Sequence, residues 1–221
     1  MHIKIGTRSS KLAMWQAEHI ADCLKEAGVT SEFVTFETKG DKILDKSLSK
    51  IGSKGLFTQE LEDALRAGDI DIAVHSAKDL QSSFPSDLEI IAFTEREVAN
   101  DVLLSFDSSV RLGQEGKVIG TSSTRRRALL KHDFPNVALG EMRGNLQTRL
   151  QKMKDGHCDA LILAFAGVHR MTYDDLIVEH LNIEEFVPPV GQGSVAVQVC
   201  NTKLEADKTE LVRKLTNHKP T

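Results

Sequence analysis

The 221 residues are 40% hydrophobic and 27% charged and carry a formal net charge of −4. That is a globular composition, long enough for one large domain or two smaller ones, and its acidic balance excludes a general nucleic-acid binder, which needs a net basic surface. Cys23, Cys158 and Cys200 form no CxxC pair, "MHIKIGTRSS" has no signal-peptide core and no apolar run is long enough to span a membrane, so a soluble, cytoplasmic chain without a disulfide framework or zinc site is expected.

The predicted elements alternate. "HIKIG" is a strand, and a helix with Ala13, Ala17, Ile20 and Leu24 on one face follows. "EFVTFET" is a second strand. "TKGDKILDKSLSKIGSKGLF" lacks the GxxxxGK[ST] spacing of a phosphate loop; it is a solvated lysine- and glycine-rich loop, with a lid over a cleft as the alternative. Phe57, Leu61, Ala64 and Leu65 mark a helix, and "IDIAVH" the strand after it. "ANDVLLSF" has the character of a crossover into a second half that repeats the rhythm. There "KVIGTSS", a helix from about Ser123, "VALGEM", a helix from about Asn145 and "CDALILAFAG" succeed one another. "SVAVQVC" is a second crossover, and Leu204, Leu211, Val212 and Leu215 give a last helix. Strand–helix–strand repetition of this kind predicts an α/β fold of two lobes, each a mixed, mostly parallel sheet.

In such sheets ligands sit beyond the carboxyl ends of strands. Polar residues gather at these ends: Thr7, Arg8 and Ser10; Ser76, Lys78 and Asp79; Thr121, Ser122 and Ser123; Arg143 and Gly144. "GTSSTRR" offers a helix start and the forked donors of Arg125 and Arg126, which suit a carboxylate or phosphate. The equal alternative is a serine N-cap followed by solvent-facing arginines. Arg143 and Arg149 are six residues apart and need not share a face. Asp79 beside Lys78 is either a helix cap or an ionised carboxylate able to hold a developing cation and move a proton. His75 at the strand end reads as a packed core residue rather than a base. Gly191 and Gly193 of "VGQGS" form a turn, or let backbone approach a ligand closely.

Taken in order, "GTRSSKLAMWQA", "TKGD", "GSKGLF", "DIAVHSAKDL", "GTSSTRR", "MRGNLQTRL", "ILAFAGVHR" and "PPVGQGSVAV" resemble the porphobilinogen deaminase (hydroxymethylbilane synthase) family over essentially the whole chain. The resemblance implies two lobes like type II periplasmic binding proteins, with helices on both sheet faces and a cleft between the lobes. It places the first lobe at residues 1 to about 94 plus those from about 195, and the second at about 95 to 194. It implies head-to-tail condensation of porphobilinogen with loss of ammonia, on a covalently attached dipyrromethane primer. Asp79 matches the family's catalytic aspartate, and Lys78, Arg125, Arg126, Arg149 and Arg170 its carboxylate-binding residues. Arg8, Ser10, Thr121, Ser122, Ser123, Arg143, Gly144 and Gln192 match cleft-lining residues, with Ser76 at the same strand end as Asp79. Lys50, Lys54 and Phe57 match its active-site loop. The family's primer cysteine lies in a small third domain; Cys23, Cys158 and Cys200 do not match it, and the chain is expected to comprise the two lobes without that domain. The resemblance further implies a monomer acting on a small molecule, with no nucleic-acid or membrane partner. The rival reading is a two-lobe binding protein for a small anion, without catalysis.

Overall fold

A computed structural model of the chain describes residues 1–42 and 56–215. Lys50 and Lys54 lie outside these residues. The described chain divides into two compact units, one of residues 1–42, 56–97 and 190–215, the other of residues 98–189.

In the first unit the elements are β1 (His2–Arg8), α1 (Lys11–Glu26), β2 (Thr30–Phe36), the single turn α2 (Lys39–Lys42), α3 (Gln59–Ala67), β3 (Ile72–Ser76) and β4 (Leu88–Phe93). The second unit contributes β5 (Asp101–Leu104), β6 (Val118–Gly120), α4 (Thr124–Asp133), β7 (Ala138–Gly140), α5 (Leu146–Lys154), β8 (Ala160–Ala164), α6 (Phe165–Arg170) and β9 (Ile177–His180). The chain then returns to the first unit through β10 (Val195–Cys200) and α7 (Ala206–Leu215).

The sheet orders are β2-β1-β3-β10-β4 and β7-β6-β8-β5-β9. Both sheets are mixed, and the pattern is the same in each. Strands linked through helices pair in parallel: β1 with β2 and β3, β6 with β7 and β8. The strand that has crossed from the other unit pairs antiparallel on both sides: β10 with β3 and β4, β5 with β8 and β9. The unit boundaries follow from hydrogen bonds at the crossings. Thr94 N–H donates to the Val195 carbonyl and Glu97 N–H to that of Gly193, tying the chain to the first unit as far as Glu97. Phe165 N–H donates to the Asn100 carbonyl, so the second unit has begun by that residue.

Period-two alternation explains how each sheet is covered on both faces. In β3, Ile72 and Val74 join Ile3, Ile5, Val195 and Val197 beneath α1 and α7. Ala73 points the other way, to Leu61, Ala64 and Leu65 of α3. In the second unit Val102, Leu104, Leu161 and Leu163 meet Leu150 and Met153 of α5. Leu103, Ala160 and Ile162 meet Leu130 of α4 on the opposite face. Parity then puts Asp101, two residues before Leu103, under α4, and His75, two after Ala73, on the face of α3. Among the described residues no helix is long and apolar enough to cross a membrane.

Candidate active site

Each unit carries its own polar strand ends. In the first, β1 delivers Arg8, whose guanidinium grips Asp41 through Nε and Nη2 and lies 4.5 Å from the centre of the Phe57 ring. Asp41 also accepts from the Thr38 hydroxyl at 2.7 Å. Burial pushes its carboxyl up, and the bonds from Arg8 and Thr38 more than reverse this, leaving it below the usual range. Ser10 closes β1 as the N-cap of α1, accepting from Ala13 N–H.

Strand β3 ends at Ser76, and a single 3₁₀ turn, Ala77–Asp79, takes over. Ser76 Oγ accepts from Gln16 Nε2 at 2.8 Å, and Gln16 is buried in the inner face of α1. Lys78 Nζ reaches Gln192 Oε1 at 3.5 Å. Asp79 caps no long helix; its side chain is exposed at the end of the turn. The turn itself is braced, with Ala77 N–H donating to the Ser194 carbonyl and Leu80 N–H to that of Ala77. A Cβ on Gly191, whose φ is +76, would stand 3.0 Å from the Ala77 carbonyl carbon and 3.1 Å from Lys78 N. One on Gly193, at φ +99, would meet the Glu97 carbonyl oxygen at 2.3 Å. What these glycines admit is therefore the chain's own backbone, the Ala77–Lys78 peptide at Gly191 and the Glu97 carbonyl at Gly193. Gly191→Ala is expected to cost about 1–3 kcal/mol through strain at positive φ and the forced shift of that turn, read as a lower urea midpoint at unchanged m.

His75 is buried behind the same turn, its Nε2 3.0 Å from Gln198 Oε1. Burial lowers its pKa from 6.5 to about 4. Its neutral form is the one that folds, so the unfolded chain gains a proton first. Stability is full above about pH 6.5 and falls as pH drops from there to about 4, by about 3 kcal/mol in total. Denaturant midpoints of His75→Gln measured across that window should lose this slope.

In the second unit, Thr121, Ser122 and Ser123 follow β6. Ser123 is the N-cap of α4, accepting from Arg126 N–H, and its own N–H donates to Thr121 Oγ1. Ser122 Oγ donates to Glu141 at 2.5 Å and accepts from Met142 N–H. Arg126 is buried and Arg125 only partly exposed, and both turn onto one carboxylate rather than outward. Arg126 gives Nε and Nη2 to Asp101 at 3.0 and 2.7 Å and Nη1 to the Ile162 carbonyl at 2.8 Å. Arg125 gives Nη2 to the same carboxylate at 2.5 Å and Nη1 to the Val187 carbonyl at 2.7 Å. Beyond β7, Gly144 adopts φ +113 and its carbonyl accepts from Arg149 Nε at 2.8 Å, while Lys152 Nζ donates to the Arg143 carbonyl. Arg170 ends α6, half-buried.

The structure thus joins Arg8 with Phe57, Lys78 with Gln192, and Arg125 with Arg126. It adds residues that pattern reading did not assign: Gln16, Asp41 and Asp101. Their signal was present. Gln16 interrupts the apolar spacing of Ala13, Ala17 and Ile20, Asp41 closes "TKGD", and Asp101 opens a run of buried aliphatic residues.

The family profile described as "Porphobilinogen deaminase, dipyromethane cofactor binding domain" matches residues 3–208. The chain belongs to the porphobilinogen deaminase family. Two members show the extent of the match. The porphobilinogen deaminase of Cytophaga hutchinsonii is 56% identical over 97% of this chain and 69% of its own length. That of Desulfosudis oleivorans is 50% identical over 99% and 71%. Among solved structures, the Bordetella pertussis BvgS VFT2 domain aligns with 97% of this chain and 86% of its own, with a TM-score of 0.58 at 15% identity. The methionine binding protein MetQ aligns with 97% and 89%, with a TM-score of 0.58 at 14% identity. These two define the fold of this family member: an α/β type II periplasmic-binding-protein architecture.

The cofactor named in the family profile can be held against the donor set. Guanidinium, ammonium and hydroxyl groups at successive strand ends are the right chemistry for pyrrole acetates and propionates. The thiols are of another kind. Burial raises Cys158 to about 11 and also raises Cys23, the direction opposite to a reactive thiolate, and Cys200 is buried.

Proposed function

We propose that the chain acts as a hydroxymethylbilane synthase, condensing porphobilinogen units head to tail with release of ammonia, and that Asp79 is its catalytic carboxylate. The observation that carries this reading is an exposed carboxylate on a turn braced by Ser194 and Gly191, next to Lys78, in a chain whose family match runs from residue 3 to 208.

Each pyrrole brings an acetate and a propionate, so the ligand is polyanionic and its recognition calls for many cations. Lys78, Arg8, Arg125, Arg126, Arg143, Arg149 and Arg170 supply them, with Ser10, Ser76, Thr121, Ser122, Ser123, Gly144 and Gln192 as hydrogen-bonding neighbours and Phe57 stacked on Arg8. These groups would hold dipyrromethane through the same carboxylates; when bound, it supplies the pyrrole terminus to which units are added.

Loss of ammonia from the aminomethyl arm leaves an electron-poor, positively charged pyrrole methylene. The amine, protonated near neutral pH, departs as ammonia with the C–N bonding pair, and the Asp79 carboxylate accepts a hydrogen bond from the pyrrole N–H and stabilises the positive charge left on the ring. A monomer acting in the cytoplasm completes the reading.

Purified protein incubated with porphobilinogen should release one ammonia per unit consumed and yield a linear tetrapyrrole that cyclises to uroporphyrin-type products. Calorimetric binding of a simple anion, with neither ammonia nor tetrapyrrole formed and no affinity for pyrrole carboxylates, would replace this reading with the binding-protein one.

A further inference from the structure

We propose that Asp101 is a positioning residue that sets the two consecutive arginines of α4 for carboxylate recognition, an inference that rests on the function proposed above. Neighbouring residues on a helix point about 100° apart and do not ordinarily share a partner. Arg125 and Arg126 nevertheless converge on one carboxylate, Arg126 through Nε and Nη2 and Arg125 through Nη2. The carboxylate is fully buried, at the first position of β5, on the face that α4 covers. The strand therefore fixes where the guanidiniums go.

The consequence differs for the two arginines. Arg126 is 7% exposed and is anchored on both sides, by Asp101 and by the Ile162 carbonyl. Arg125 is 26% exposed and is held by Asp101, by the Val187 carbonyl and by the Phe186 ring 5.8 Å away. A guanidinium carries five N–H groups, and these contacts engage one on each Nη of Arg125; its Nε–H and the second hydrogens remain for a ligand. One carboxylate against two guanidiniums leaves a net positive charge. The pair is thus neutralised enough to be buried and charged enough to attract an anion. Without Asp101, Arg125 would have to be ordered by the ligand itself, at the cost of side-chain freedom.

The test is a double-mutant cycle on porphobilinogen affinity, measured by titration calorimetry with the full chain. Asp101→Asn and Arg125→Gln should each weaken binding about 10-fold, and the double variant by little more than the worse single one, because Asp101 acts through Arg125. Asp101→Glu, which keeps the charge and moves it by one methylene, should recover part of the loss. If Asp101→Asn does not refold, the cycle is run with Asp101→Glu, and non-multiplicative effects are again expected. Multiplicative losses, about 100-fold in the Asp101→Asn double variant, or unaltered affinity in Asp101→Asn, overturn the positioning role while leaving the proposed function standing. Absence of porphobilinogen binding by the parent protein overturns both.

Discussion

Asp79→Asn is expected to lower the single-turnover rate of ammonia release by about 10²–10⁴-fold while porphobilinogen binding changes little. The amide keeps the size and one acceptor oxygen of the side chain but removes its charge. What is lost is the interaction that grows as the pyrrole methylene becomes cationic, so the effect belongs in kcat. In the proposed function, ground-state binding is assigned to cations such as Lys78, and removing a nearby negative charge does not weaken the hold of a cation on an anion. Stability should also be nearly unaltered, within about 0.5 kcal/mol, because Asp79 is exposed and the turn is braced through backbone groups of Ala77, Ser194 and Gly191. Asp79→Glu, with the charge retained one methylene further out, should fall between the two. A full rate in Asp79→Asn, with unaltered affinity and stability, would remove Asp79 from the chemistry.

Much of this arrangement was legible in the residues. The alternation of strands and helices gives the two α/β units, and the apolar spacing of Ala13, Ala17, Ile20 and Leu24 gives the buried face of α1. "ANDVLLSF" and "SVAVQVC" hold the two crossing strands β5 and β10. That these are the antiparallel members of their sheets was not legible, because strand direction depends on how the chain re-enters a sheet and not on local pattern. The polar strand ends were legible as well, since Thr, Ser, Lys and Arg at strand termini break an apolar run. Their partners were less so. Asp41 is 33 residues from Arg8 and Gln16 is 60 from Ser76, and no local spacing encodes such pairs. The glycines of "VGQGS" show the same limit: sequence gives their conformational freedom, whereas what they approach, the Ala77–Lys78 peptide and the Glu97 carbonyl, is decided by the pairing of β10 with β3 on one side and β4 on the other.

Arg126→Met should be the most destabilising of the single substitutions considered, by about 3–5 kcal/mol at neutral pH, because it strands a buried carboxylate. Asp101 is fully buried, and desolvation pushes its pKa up. The charge and hydrogen bonds of Arg126, then those of Arg125, outweigh that push and hold it below the usual carboxylate range. A carboxyl depressed in the folded state contributes stability that is present above its unfolded value, about 4, and is lost as pH falls through the folded value. Removing Arg126 reverses the imbalance: burial then dominates, the folded pKa rises, and the protonated acid becomes the tolerated form. The gap between parent and variant should therefore be widest near neutrality and narrow as pH falls below about 5. Arg125 remains as a partial partner and keeps the loss toward the lower end of the range. Arg125→Met, at a side chain 26% exposed that leaves the bidentate Arg126–Asp101 pair intact, should cost much less. Urea midpoints at several pH values, with hydrogen exchange followed at β5 and β8, read both effects. A pH-independent gap between parent and Arg126→Met would mean that the cost comes from lost packing of the arginine stem rather than from the stranded charge.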